Sequence, residues 1–299
     1  MITEEATEVT SVPVRAPAAA GRQPAGRKRP WDEAPRWQIY LPLGIYLVFT
    51  LVPFYWILLF ALRPAGSTSL VPWPMTFDHF EKVWNERDFG VYFQNSVLTG
   101  VATLLLTTGV ALAGGYALAR FDFRIKRAFM LALLCTQFVP GALLLVPLFQ
   151  IFAELKLINS LGSVILAETV FQLPLSMILI SGFIRNVPYS LEEAAWVDGC
   201  GRLTAFRIVV LPLLRPGLIA VGSFAFVHAW NHFLFALMFL SDQTKQTIPV
   251  GLNTLMSADS VDLGALAAGG IIAAVPVVIV FAFIQKWLIT GFSAGAVKG

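Results

Sequence analysis

His228 and His232 stand four residues apart, so on a helix they share one face. That is the spacing at which the two imidazoles of a His-Glu-x-x-His motif hold zinc. Ala229 occupies the place of the glutamate that would act as general base, and no third ligand stands out. With three histidines and two cysteines, Cys135 and Cys200, the chain has little material for a metal cluster and none for a disulfide framework. A membrane-bound protease or lipid-modifying enzyme would need a nucleophile with its base, or a metal set, at one depth; only this pair comes close, and it lacks its base. No Gly-x4-Gly-Lys-Ser/Thr segment occurs, so a phosphate-cradling loop of that type is missing and ATP, if used, must be bound by another polypeptide. The sequence therefore predicts no catalytic residue, metal or cofactor on this chain. Its informative polar segment is residues 185–216.

The elements around that segment follow from composition. Of 299 residues, 57% are hydrophobic and 13% charged, about half the charge of an ordinary soluble domain. A soluble enzyme is excluded on that ground. Disorder along the whole chain is excluded by 24 Phe, 8 Trp and 6 Tyr. A net charge of +3 is too small for nucleic-acid binding by bulk charge. Residues 1–37 read as a polar, solvated cytoplasmic tail. It contains no signal-type apolar run, so no cleavage is expected.

A bilayer core about 30 Å thick takes about 20 helical residues. Six stretches qualify, near 38–62, 95–119, 128–153, 161–184, 215–240 and 264–289. Five contain proline, which membrane helices tolerate when neighbours satisfy the freed carbonyls. The expected fold is an all-α membrane protein: six packed, kinked helices over 38–289 and a short tail at 290–299.

Lysine and arginine set the orientation. With the N-terminus in the cytoplasm, sixteen of the 21 lie inside. They are grouped in the tail (Arg15 to Arg36), after span two (Arg120, Arg124, Lys126, Arg127), after span four (Arg185, Arg202, Arg207, Arg215) and at the far end (Lys286, Lys298). Only Arg63, Lys82, Arg87, Lys156 and Lys245 fall outside. Both termini, and residues 185–216, are thus expected in the cytoplasm.

Within 185–216, Pro188 stops the preceding helix. Ser190 and Glu193 have capping-box spacing, which predicts a short helix from Leu191. Gly199 can end that helix in the left-handed conformation. A second helix is expected to about Val210, broken by Leu211-Pro212. Ala194 and Ala195 leave a small-residue face for another protein, with Glu193 and Asp198 as charges at its ends.

The series Glu193-Ala194-Ala195, Gly199, Val209, Leu211-Pro212, with Asp198 before the glycine, resembles the EAA loop of permease subunits of ATP-binding-cassette importers. Val209 stands where isoleucine is commonest in that family. The resemblance extends along the chain through Asn95-Ser96, Ala117-Leu118-Ala119-Arg120, Val146-Pro147-Leu148-Phe149, Leu157-Ile158-Asn159-Ser160, Ile248-Pro249-Val250-Gly251-Leu252 and Gly295-Ala296-Val297-Lys298-Gly299. Together these are similar to the carbohydrate-uptake branch, the maltose-type permease pair. The resemblance implies the six-span type I importer fold with a cytoplasmic coupling helix between spans four and five. It also implies a second homologous permease, two ATPase subunits that carry ATP and Mg, and an extracytoplasmic sugar-binding protein probed by the last outer loop. The C-terminal residues Gly295, Lys298 and Gly299 would touch the ATPase.

Polar side chains within spans usually face a cavity or another helix. Gln137, Gln172 and Asn231 are candidates to line a translocation path. Glu168, roughly 10 Å into span four, reads more simply as an inter-helix hydrogen-bonding group. At His232 the family often has an acid, so no acidic role transfers to that position. A related importer for a non-sugar solute would have the same loop. A stand-alone secondary transporter would more often show an internal repeat and paired midplane ions, and neither is visible.

Overall fold

The computed structural model describes residues 36–256 and 261–296, which are helix and connecting loop without strand among the described residues. Most of the expected tail 1–37 lies outside the described residues. The chain divides into two units, 1–53 and 54–299. In the first, the described residues form the leading part of α1 (Arg36–Leu62), where Ile45, Val48 and Phe49 are exposed. Contiguous apolar surface of that kind belongs against lipid or protein.

The second unit continues with α2 (Asp78–Glu81), a π turn at Lys82–Glu86, and α3 (Phe89–Arg120). Then come α4 (Lys126–Thr136), a 3-10 turn at Gly141–Leu144, α5 (Leu145–Glu154) and α6 (Leu161–Arg185). The segment 185–216 forms α7 (Ser190–Val197), α8 (Arg202–Ala205), a π turn at Phe206–Val210 and α9 (Leu211–Leu213). The chain ends with α10 (Arg215–Asn231), α11 (Leu234–Phe239), a 3-10 turn at Gln243–Lys245, α12 (Ile248–Met256) and α13 (Leu263–Ala296).

Four helices can cross a bilayer unaided: Trp37–Leu62, Phe89–Arg120, Leu161–Arg185 and Leu263–Lys286. Two further spans are bent pairs, Lys126–Thr136 with Gly141–Glu154 at 93°, and Arg202–Leu213 with Arg215–Asn231 at 74°. Counting each pair as one span gives six. The sequence predicts spans three and five as single kinked helices, and both are broken instead. In span three, Pro140 is extended (ψ 126°). Proline also biases Val139 away from helix. The amides of Gln137, Phe138 and Val139 accordingly tighten onto carbonyls three residues back before the chain turns. The 74° bend of the second pair lies at Leu214, and within the expected span 215–240 α10 stops at Asn231, where His232 is extended (ψ 120°).

The packing centre is α3 against α6 and α10. The buried stripe of α3, Ser96, Thr99, Gly100, Thr103, Thr107, Ala111 and Gly115, recurs every three or four residues, so it faces one way. Its small side chains let helices approach closely, the usual means of packing where lipid supplies no hydrophobic drive. A Cβ on Gly115 would sit 2.8 Å from Ile180 Cγ2 and 3.1 Å from the Ser181 amide nitrogen. Beyond this contact a buried cluster of Ile180, Ile184, Val187, Val210 and Leu214 seats the 185–216 segment on the helical body.

Candidate functional site

Two places combine polar chemistry with positioning: the 185–216 loop and a cavity between α6 and α10. In the loop, α7 begins at Ser190 and no capping box forms. Tyr189 is itself helical (φ −63°, ψ −30°), so the chain enters the helix through Pro188 and Tyr189. The carbonyls of Pro188 and Tyr189 accept from Leu191, Glu192 and Glu193, leaving nothing for a Ser190 cap to satisfy. The far end matches expectation. Gly199 has φ +86°, the Gly199 amide donates to Trp196 O (3.0 Å) and the Cys200 amide to Ala195 O (2.9 Å). This pair is the Schellman closure, which requires a left-handed residue at Gly199. The second helix does not break at Leu211-Pro212. It runs through to Leu213, and the turn comes at Leu214. Pro212 falls in the first turn of α9, where a missing amide costs little.

Of the motif residues, Glu193, Ala194, Asp198 and Gly199 are exposed, and Ala195, Val209, Leu211 and Pro212 are half-buried. The exposed surface continues over Val197, Leu203 and Ile208. On the opposite face the sequence missed an anchor. Glu192 is buried, its side chain 1% exposed. Arg120 Nε, at the end of α3, donates to Glu192 Oε1 at 2.6 Å, and Tyr116 Oη donates to Oε2 at 2.7 Å. The same guanidinium donates to Val187 O at 2.9 Å and lies over the Tyr189 ring. Adjacent helical residues point about 100° apart. In the pair Glu192-Glu193, one carboxylate is therefore turned inward as the other faces out, and that doublet was the available signal.

The cavity has a volume of about 780 Å³ and is lined by Gln172, Ser176, Phe224, His228, Asn231 and His232, among others. A smaller one, about 240 Å³, shares Gln172, His228 and His232 and adds Gln137. The three residues singled out for a path thus border two adjoining spaces. Asn231 also borders a third, of about 390 Å³, roofed by Ile248, Pro249 and Leu252 of α12. The unwound point at His232 lies among them, as expected where irregular backbone is tolerated only beside a cavity. Behind the wall sits Glu168, fully buried on α6. Its Oε2 is 3.0 Å from His228 Nδ1 and its Oε1 is 2.8 Å from His232 Nδ1. The inter-helix hydrogen bond read from sequence is made to His228, while His232 Nδ1 lies close to Oε1 without hydrogen-bond geometry. Among the described residues no group of three His, Cys, Asp or Glu has the geometry to hold a metal ion. Gly295 lies on α13, and Lys298 and Gly299 lie outside the described residues.

A helical membrane body with a hairpin docked on one end and a cavity between α6 and α10 is an architecture suited to a transport permease. Residues 106–293 match the family of binding-protein-dependent transport system inner membrane components, and the chain belongs to that family. It is a multi-pass transporter subunit and not an enzyme. Among its relatives, the diacetylchitobiose uptake system permease protein DasC of Streptomyces coelicolor is 34% identical over 262 residues, 86% of this chain and 94% of that protein. The melibiose/raffinose/stachyose import permease protein MelC of Bacillus subtilis is 34% identical over 253 residues, 83% of this chain and 91% of that one. The fold is shared with a chain of a bacterial ABC transporter that imports the acidic polysaccharide alginate. The TM-score there is 0.71 at 20% identity, covering 85% of this chain and 98% of the other.

Proposed function

We propose that this chain is one of two homologous permease subunits of an ATP-driven sugar importer. It forms half of the translocation path and is coupled to ATPase subunits through residues 185–216. The observation that carries this is the two-sided helix α7. Its outer face offers Glu193, Ala194 and Asp198, with the half-buried Ala195 beside them, and its inner face is held by the buried Glu192–Arg120 pair. A helix gripped on one side and anchored on the other transmits displacement to α3 in place of swinging freely. Two ATPase subunits, binding ATP and Mg, close and draw such loops together. The spans reorient, the cavity opens outward, and an extracytoplasmic binding protein releases its sugar into it. Gln137, Gln172 and Asn231 line the path. Both termini lie in the cytoplasm by the lysine and arginine distribution, and the C-terminal segment with Gly295, Lys298 and Gly299 contacts the ATPase. The named solutes of the relatives support a sugar as the cargo.

Affinity purification of the tagged chain in mild detergent should recover a second permease and an ATPase. Membrane vesicles containing the assembly and its binding protein should take up melibiose, raffinose or diacetylchitobiose when ATP is supplied. Recovery of the chain alone, or uptake that needs no ATPase, refutes the proposal.

A further inference from the structure

We propose that Glu168, His228 and His232 form a recognition site for a neutral, hydroxyl-rich solute. Glu168 is the positioning residue that tethers His228 through Nδ1 so that its Nε2 faces the cavity, with His232 stacked beside it. This deepens the importer reading, on which it rests, by naming groups that touch the solute and the charge class they accept.

In the His228–Glu168 hydrogen bond a carboxylate oxygen accepts, so Nδ1 of His228 carries the hydrogen. The His228 bond is well formed at 3.0 Å, and the His232 contact at 2.8 Å is offset from the hydrogen-bond line. In an imidazole the two nitrogens point to widely different directions. A ring tethered by Nδ1 to a fully buried atom therefore offers Nε2 outward. Both rings border the cavity, and their side chains are 48% and 23% exposed. They stack with centroids 5.3 Å apart, so the two rings stand side by side on the cavity wall, with the Phe235 ring bracing His232 at 4.5 Å. In the neutral ring Nε2 is a lone pair, the acceptor that a sugar hydroxyl seeks. Gln172 and Asn231 add amides, and Phe224 and Leu175 add apolar surface for the C–H faces of a pyranose. No lysine or arginine lines either cavity among the described residues. The Glu168 charge stands directly behind the rings. An acidic sugar would sit close to the buried Glu168 carboxyl with no lysine or arginine on either wall to pair with it, which sets the preference for neutral solutes.

The test uses the assembled permease–ATPase complex held with ADP and vanadate. Binding of tritiated melibiose, diacetylchitobiose and the acidic disaccharide digalacturonate is measured directly, without the binding protein. The wild-type complex should bind at least one neutral probe and bind digalacturonate more weakly. Glu168→Gln keeps the shape, removes the charge and sets an amide hydrogen against one Nδ1. It should raise the Kd of the neutral probe about tenfold or more while lowering that of digalacturonate. Damage to packing cannot move the two probes in opposite directions. Glu168→Asp should recover part of the neutral affinity. If Glu168→Gln fails to assemble, His228→Gln and His232→Gln decide, because both rings are on the cavity surface and each change should weaken the neutral probe. Binding of no neutral probe, tighter binding of digalacturonate by wild type, or unchanged affinities in all variants overturns the proposal. Recovery of an intact complex in those cases leaves the importer reading standing.

Discussion

The Arg120–Glu192 pair makes the sharpest prediction. Both side chains are nearly closed off from water, at 9% and 1% exposure. Removing one partner leaves the other charge buried without compensation, at a cost of about 3–5 kcal/mol. The pair ties α7 to α3, and that cost falls on the docked state of the loop. At about 1.4 kcal/mol per tenfold, the opened population should rise about a hundredfold or more. The readout is limited trypsin cleavage at Arg202 and Arg207, which are exposed but helical and need local opening to be cut. When opening is fast relative to cleavage, the rate tracks that population. Arg120→Met or Glu192→Gln alone should therefore accelerate cleavage of the detergent-solubilised permease by about two orders of magnitude and abolish ATP-driven uptake. The double change removes both charges and leaves Tyr116 an amide acceptor, so its cleavage rate should return most of the way to wild type. Cleavage within about threefold of wild type in both single variants would refute the anchoring role, as would a double variant worse than the two effects summed.

Other outcomes follow from the same geometry. Gly199→Val forces a β-branched residue to φ +86° and opens the Schellman closure. ATPase co-purification and uptake should fall while the chain still reaches the membrane. Glu193→Lys, on the exposed face, should likewise lose ATPase binding with no loss of thermal stability. Gly115→Val places carbon against Ile180 and the Ser181 backbone and should cost about 1–3 kcal/mol, read as a lowered Tm of the solubilised protein. At the start of α13, the Ala265 amide and Lys82 hold the Asp262 carboxyl below its ordinary range. That contribution is complete above the ordinary carboxylate value and is lost as pH falls through the lowered one. Asp262→Asn should flatten the acid side of the Tm–pH curve, and an unchanged curve would remove the pair from the stability account.

Much of the fold was legible because it is set by short-range facts. A run of about 20 apolar residues marks a span wherever its neighbours lie. Gly199 could be read as a left-handed helix end because few other residues adopt that backbone cheaply. The helix breaks were harder. Pro140 was visible, but Pro42, Pro53, Pro174 and Pro276 sit in helices that continue through them. Whether a proline breaks a helix depends on what satisfies the freed carbonyls, which is a property of the surrounding helices. The capping box failed for a related reason: backbone carbonyls one turn earlier reached the same amides first.

By itself the sequence determined that this is a membrane-spanning chain and that a short helix follows the fourth apolar stretch. These depend on composition and on residues a turn or so apart. Tertiary structure alone decided that Glu192 faces inward while Glu193 faces out, and that Arg120, 72 positions away, is its partner. It likewise brought Glu168 to two histidines 60 or more residues further on. A buried charge takes whichever complementary group the packing presents, and spacing along the chain carries no record of that choice.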